Sequence, residues 1–217
     1  MELMKELSLA PGVSGSEEKI AEIITRELKD VADKIETDSM GNIIATKKGE
    51  KKAPTVMLAA HMDEIGLMVR YIDDNGYIKF SNIGGINDQM LMNQTVTVHS
   101  SIGEPIVGVI GSKPPHVTTA EERNKVVKAT DMFIDIGAKD KEEAEKMVRI
   151  GDKMTFNSLF VEYPNKLIMG KALDNRVGCY VMMEVLKRVN TRATVYGVGT
   201  VQEEVGLKGA KTSAFKL

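Results

Sequence analysis

The 217 residues carry 29 Lys and Arg against 31 Asp and Glu, a formal charge of −2, so no basic field is offered to phosphate backbones and nucleic acid is not an expected partner. With 42% hydrophobic and 28% charged residues the composition is globular and the chain long enough to bury a sizeable core, while no apolar run reaches the ~20 residues of a membrane span. The opening MELMKELSLAPG mixes charges among its apolar residues and lacks a secretory h-region, and the single cysteine, Cys179, can form neither an intrachain disulfide nor a thiolate cage, so a reducing cytoplasm is the expected location.

The first predicted element is a helix. Ser14 stands three residues before Glu17, the capping-box spacing, with Ser16 as a second candidate cap. Ile20, Ile24, Leu28 and Val31 then recur at helical spacing, and Ile23 widens the stripe. Residues 34–38 and 42–47 read as two short strands about a Met40-Gly41-Asn42 turn. Residues 55–60 are a continuous apolar run, which suits a strand covered on both faces. It stops at His61-Met62-Asp63-Glu64, and the ends of buried strands are where open α/β sheets place their ligand sites.

From about Val69 to Phe160 the pattern changes to short strand-like runs divided by turns such as Asp73-Asp74-Asn75-Gly76 and Ile102-Gly103-Glu104-Pro105. Only brief helical pieces interrupt, near residues 118–125 and 139–147. This predicts a β-rich module, residues 69–160, inserted between the two parts of an α/β domain, residues 1–68 and 161–217. In the second part, residues 166–169 read as a strand, Gly170 to Arg176 as a polar connection and residues 177–189 as a helix. Residues 193–201 read as a buried strand that ends in Gln202-Glu203-Glu204-Val205-Gly206.

Three polar clusters thus follow apolar strands: His61-x-Asp63-Glu64, Asp174-Asn175 and Glu203-Glu204. Singly, each has an ordinary reading, as a surface pair, a helix cap and solvated charge. Jointly, at the C-terminal ends of strands in one sheet, they face one crevice. The chemistry they suggest is two-metal hydrolysis, because zinc-type ions take imidazole nitrogen and carboxylate oxygen and a carboxylate can bridge two of them. In that reading His61 binds one ion, Asp174 bridges and Glu204 binds the other. Asp63 orients the imidazole, and Glu203 stays free as the base that takes the proton of the attacking water.

Ala60-His61-Met62-Asp63-Glu64-Ile65-Gly66, Ala172-Leu173-Asp174-Asn175-Arg176 and Gln202-Glu203-Glu204-Val205-Gly206-Leu207-Lys208-Gly209-Ala210 resemble, in this order, the motifs of the tetrahedral aminopeptidases. These are the glutamyl and deblocking aminopeptidases, sometimes called endoglucanases. Gly111-Ser112-Lys113-Pro114-Pro115-His116 is similar to a stretch of their inserted β domain. The resemblance implies a mixed α/β catalytic domain with an inserted β-barrel-like dimerisation domain. It also implies two divalent ions, zinc or cobalt, and a homo-oligomer that reaches a hollow dodecamer and trims peptides from the N-terminus. Residue by residue, it puts His61, Asp174 and Glu204 on metal ligands, Glu203 on the general base and Asp63 on the support of the histidine.

The same resemblance implies two more ligands downstream, an Asp soon after the Glu-Glu motif and a His near the C-terminus, and the sequence has neither before Leu217. His99 and His116, in the β module, are expected to be fold or interface residues. The sequence-based expectation is therefore a metal-dependent aminopeptidase of which this chain is a partial form, with full activity belonging to the complete chain and the 193–201 strand exposing an apolar face or edge. The alternatives are a non-catalytic assembly or regulatory piece, and a glycosidase acting through paired carboxylates.

Overall fold

In the computed structural model, which describes residues 1–119, 121 and 124–217, the elements follow one another in this order. Helices α1 (Glu2–Leu9) and α2 (Glu18–Leu28) precede strands β1 (Lys34–Thr37), β2 (Ile43–Lys47) and β3 (Thr55–His61). Strands β4 (Gly66–Ile72), β5 (Ile78–Ile83), β6 (Thr95–His99), β7 (Ile106–Gly111) and β8 (Phe133–Asp135), helix α3 (Lys141–Met147) and strand β9 (Lys153–Phe156) come next. The chain continues through β10 (Val161–Glu162), β11 (Ile168–Met169), helix α4 (Leu173–Arg188), β12 (Thr194–Thr200) and helix α5 (Lys208–Lys216). The helix expected near residues 118–125 falls partly on residues outside those described.

Two units partition the chain, Met1–Glu64 with Ser158–Leu217, and Ile65–Asn157. The first is a mixed sheet of order β1-β2-β12-β3. Strand β12 runs antiparallel to β2 and parallel to β3. The apolar stripe of α2 (Ile20, Ile23, Ile24, Leu28) is buried with Met4 and Leu7 of α1, Cys179, Met182, Met183 and Leu186 of α4, and Ile43, Ala45 and Val195 of the sheet. A helix with apolar residues three and four apart presents one such face, and covering it with a sheet is what stabilises it. Glycines on β12 set how close the helices come: a Cβ on Gly197 would stand 2.2 Å from Leu186 and one on Gly199 would stand 2.8 Å from Met62.

Three local readings are corrected by this topology. Residues 55–60 were expected to be covered on both faces, but β3 is an edge strand that is buried only at Ala60 and His61, with Val56 exposed. Residues 193–201 were expected to expose an apolar face or an edge, whereas β12 lies between β2 and β3 and is buried at Val195 and from Gly197 to Thr200. An apolar run does not say which neighbour it pairs with, and here the later strand takes the interior place. Residues 166–169 contribute only β11, which pairs with β10 in a separate two-stranded ribbon. The cap of α2 also differs: its N-cap is Glu17 and no side chain caps it, and the Ser16 hydroxyl donates to the Gly15 carbonyl instead.

The second unit is a closed barrel of order β4-β5-β8-β7-β6-β9, and closure leaves no sheet edge to protect. Its interior holds Leu67, Val69, Ile78, Phe80, Val96, Val98, Ile110, Ile134 and Met154, all buried. The Asp73–Gly76 turn closes β4 onto β5 with Gly76 at φ 83, a conformation glycine adopts without steric penalty. His99 lies on β6 with Nε2 2.9 Å from the Thr155 hydroxyl, and His116 lies in a short 3-10 turn, Pro115–Val117. Among the described residues no helix is long and apolar enough to cross a membrane.

The close approach at β12 gives a direct test. Gly197→Val forces a side chain into Leu186 and Met182, and overpacking of this kind is expected to lower stability by about 1–3 kcal/mol. The check is the urea midpoint at unchanged slope.

Candidate metal centre

Parallel pairing of β12 with β3 ends at Thr200 opposite His61, so the two segments that leave these strands lie side by side. The Met62 N–H donates to the Thr200 carbonyl at 2.7 Å and extends the register one residue further. His61-Met62-Asp63-Glu64 and Gln202-Glu203-Glu204 are thereby neighbours, although Asp63 and Glu203 are 140 positions apart in sequence.

His61 is nearly buried. Its Nδ1 lies 3.1 Å from the backbone oxygen of Asp63 and 3.5 Å from the Asp63 carboxylate. A carbonyl oxygen can only accept, so Nδ1 carries the proton and Nε2 is left to face outward. Nε2 stands 3.2 Å from Asp174 Oδ1 and 3.9 Å from Glu203 Oε2. His61, Glu203 and Glu204 each offer a ligand atom within 4.8 Å of the others. Burial opposes a charge on His61, but the carboxylates of Asp63 and Glu203 outweigh it and raise its pKa to about 9.

Asp63 has no exposed surface, yet hydrogen bonds overcome the effect of its burial and hold its carboxyl below the usual range. It accepts the Ser14 hydroxyl at 2.6 Å, the Glu203 N–H at 2.9 Å and the Glu204 N–H at 3.1 Å. One side chain therefore orients the histidine and anchors the Glu-Glu segment. Burial, together with the charges of Glu203, Asp63 and Asp174, raises the Glu204 pKa against the pull of His61.

Asp174 reaches the site differently. It opens α4 at a kink, where Asp174 and Asn175 leave helical geometry and their peptide bond is cis. Its side chain is 91% exposed, and its flanks are what hold it in place. Lys171 Nζ donates to both Glu64 carboxylate oxygens at 2.6 and 2.8 Å. Arg176, fully buried, donates to the carbonyls of Met62, Leu7 and Ala10 and lies 3.5 Å from Glu64. Burial lowers the pKa of both cations, opposed by the Glu64 charge. Sequence reasoning missed this lattice; its one trace is that Lys171 and Arg176 bracket Asp174 while Glu64 closes the His61 motif.

The donor set suits a divalent cation. Two atoms bound to one tetrahedral zinc lie about 3.3 Å apart, which matches the spacing of His61 Nε2 and Asp174 Oδ1. Among the described residues no Lys or Arg lies within salt-bridge distance of Asp174, Glu203 or Glu204, so their shared negative charge is balanced by His61 alone. The clusters expected to converge do so, and His99 and His116, in the barrel unit, are not part of this set.

A mixed α/β sheet that delivers an imidazole and several carboxylates to one end, in a chain that also carries a closed barrel, defines the class to which this protein is assigned. The chain belongs to the M42 glutamyl aminopeptidase family, whose model matches residues 41–217. The TET aminopeptidase from the marine sediment archaeon Thaumarchaeota archaeon SCGC AB-539-E09 superposes with a TM-score of 0.95 at 42% identity, over 99% of this chain and 62% of that one. The TET1 peptidase of Pyrococcus horikoshii, which can assemble into a tetrahedron or a large octahedral shell, gives 0.88 at 39% identity over 98% and 64%. The lysyl aminopeptidase of Pyrococcus furiosus is 40% identical over 220 residues, 100% of this chain and 63% of that protein. The chain spans 60% to 63% of the length of three curated relatives it matches.

Asp63→Asn leaves one of its carboxylate's acceptor positions occupied by an amide that cannot accept. Losing such an outer partner is expected to weaken metal binding by about 10- to 100-fold. Titration with Co(II) under anaerobic conditions measures it.

Proposed function

We propose that the protein is a metal-dependent aminopeptidase that removes N-terminal residues from peptides by two-metal activation of water. The observation that carries this reading is the convergence of Asp174 and Glu203 on the outward nitrogen of one histidine whose other nitrogen is held by Asp63, with Glu204 in the same cluster. His61 and Asp174 would hold one divalent ion, zinc or cobalt, and Asp174 and Glu204 a second. Residues 205–217 contain neither Asp nor His, so this ligand set is partial, with two protein donors for each ion. Bound ions would supply the lowered pKa of water and the polarisation of the scissile carbonyl.

The protein's own groups then divide the work. Glu203, partly exposed and 3.9 Å from His61 Nε2, takes the proton of the attacking water and returns it to the leaving amine. Asp63 keeps the imidazole in one tautomer and orientation. Lys171 and Arg176 fix the segment that presents Asp174. The assembly proposed with this activity is a homo-oligomer, a dimer through the barrel unit and a dodecamer beyond it. Met90, Val107 and Ile150, exposed on that unit, are the kind of apolar surface such a contact covers, and the P. horikoshii relative is itself a shell-forming peptidase.

Separating the roles of the two glutamates tests the reading. Glu203→Gln is expected to abolish hydrolysis of aminoacyl anilides while the metal content, measured by elemental analysis, stays near that of the unaltered protein. His61→Ala is expected to lose metal and activity together. Metal loss in Glu203→Gln would reverse the assignment of Glu203 and Glu204, and full metal occupancy in His61→Ala would overturn the site.

A further inference from the structure

The Ser14-Gly15-Ser16-Glu17 stretch has the spacing of a helix cap but caps nothing, and the chemistry above leaves it unused. The Glu17 side chain turns instead toward the Glu-Glu segment, and that of Ser14 toward Asp63. Gln202, Glu203 and Glu204 present three consecutive backbone N–H groups, and all three end on carboxylates. Gln202 donates to Glu17 Oε1 at 3.0 Å, Glu203 to Asp63 Oδ1 at 2.9 Å and Glu204 to Asp63 Oδ2 at 3.1 Å. Glu17 Oε1 also accepts the Gly15 N–H at 2.8 Å, and the Ser14 hydroxyl holds Asp63 Oδ2 at 2.6 Å. Glu17 and Asp63 are both buried, where bonds to a charged acceptor are stronger than on the surface.

The segment needs such an anchor. Gln202 has φ 54, a left-handed conformation that a residue with a Cβ adopts at a steric cost. No strand or helix supplies partners for its N–H. We propose that Glu17 is a positioning residue: by holding the Gln202 N–H it sets where the Glu203 and Glu204 carboxylates stand relative to His61, while Ser14 secures the Asp63 half of the same clamp. The catalytic consequence rests on the metallopeptidase reading, whereas the clamp itself requires no ion.

The test compares the protein with Glu17→Met, which keeps the bulk but removes the acceptor, and Glu17→Gln, which keeps an acceptor oxygen without the charge. Hydrogen–deuterium exchange and Co(II) binding are measured on each. In Glu17→Met the Gln202 amide is expected to exchange about 10- to 100-fold faster, as the loss of a bond to a charged acceptor implies, with those of β12 unchanged. Co(II) affinity should fall about 10- to 100-fold with an altered visible spectrum, and kcat should fall more than KM changes. Glu17→Gln should recover part of the exchange protection, and spectrum and kcat close to the original, because an acceptor oxygen remains in place.

Unchanged protection of the Gln202 amide in Glu17→Met overturns the proposal, as does a Glu17→Gln variant as impaired as Glu17→Met. Should Glu17→Met fail to fold, Ser14→Ala addresses the other half. Faster exchange at Glu203 and Glu204 with Gln202 spared supports the clamp, and unaltered exchange there sinks it. An unaltered protein that binds no Co(II), together with faster exchange in Glu17→Met, supports the clamp and defeats the metallopeptidase reading instead.

Discussion

The buried carboxylate of Asp63 is the constraint on which the rest of the centre depends. A carboxylate removed from water and left without partners is heavily penalised. Asp63 is satisfied by the imidazole of His61, the hydroxyl of Ser14 and two backbone N–H groups that no regular element would satisfy. The dependence runs both ways, since those N–H groups are themselves polar and must find acceptors. The β12–β3 ladder stops at Thr200 and His61. Beyond it, this one side chain continues the alignment of the two segments, so that histidine and glutamates share a common reference.

Two adjacent sets of charge are balanced in opposite ways. Glu64 is buried against two cations, Lys171 and Arg176, and the remaining guanidinium hydrogens go to backbone carbonyls. Such a lattice is closed: every charge has a partner, and its effect is to fix the chain on either side of Asp174 and beyond His61. Asp174, Glu203 and Glu204 have no Lys or Arg at salt-bridge distance among the described residues, only the imidazole they surround. Electrostatically complete groups serve as scaffold. Groups left with excess negative charge around one imidazole are where the proposed cation would bind.

What could be read from the sequence was what local chemistry decides. The stripe from Ile20 to Leu28 allows only one buried face, Asp73–Gly76 can hardly be other than a turn, and polar groups at the ends of apolar runs mark His61, Asp174 and Glu203. What could not be read was pairing. The apolar runs 55–60 and 193–201 are alike in composition, yet the first is an edge and the second an interior strand, because the choice depends on which strand lies beside which. The pairing of Glu64 with Lys171 and Arg176 was invisible for the same reason: a surface triad and a buried one have the same letters.

The Ser14-x-x-Glu17 spacing shows the limit most clearly. A helix terminus offers its own unpaired N–H groups to such a pair, a contact of ordinary strength, typically ~1 kcal/mol. The folded chain offers competing partners, a buried carboxylate for the Ser14 hydroxyl and the Gln202 N–H for Glu17, both in surroundings where hydrogen bonds count for more. The tertiary partners prevail, and α2 begins without a side-chain cap. The outcome follows a gradient across the centre: Asp63 is fully enclosed, His61 has a side chain 9% exposed, Glu203 32% and Asp174 91%. Orientation is thus set from inside, by groups that water does not reach, while the groups proposed to meet ion and substrate stand at the open side. A hydrolytic centre requires that order, because a ligand face must remain accessible and its geometry must be held by something that is not.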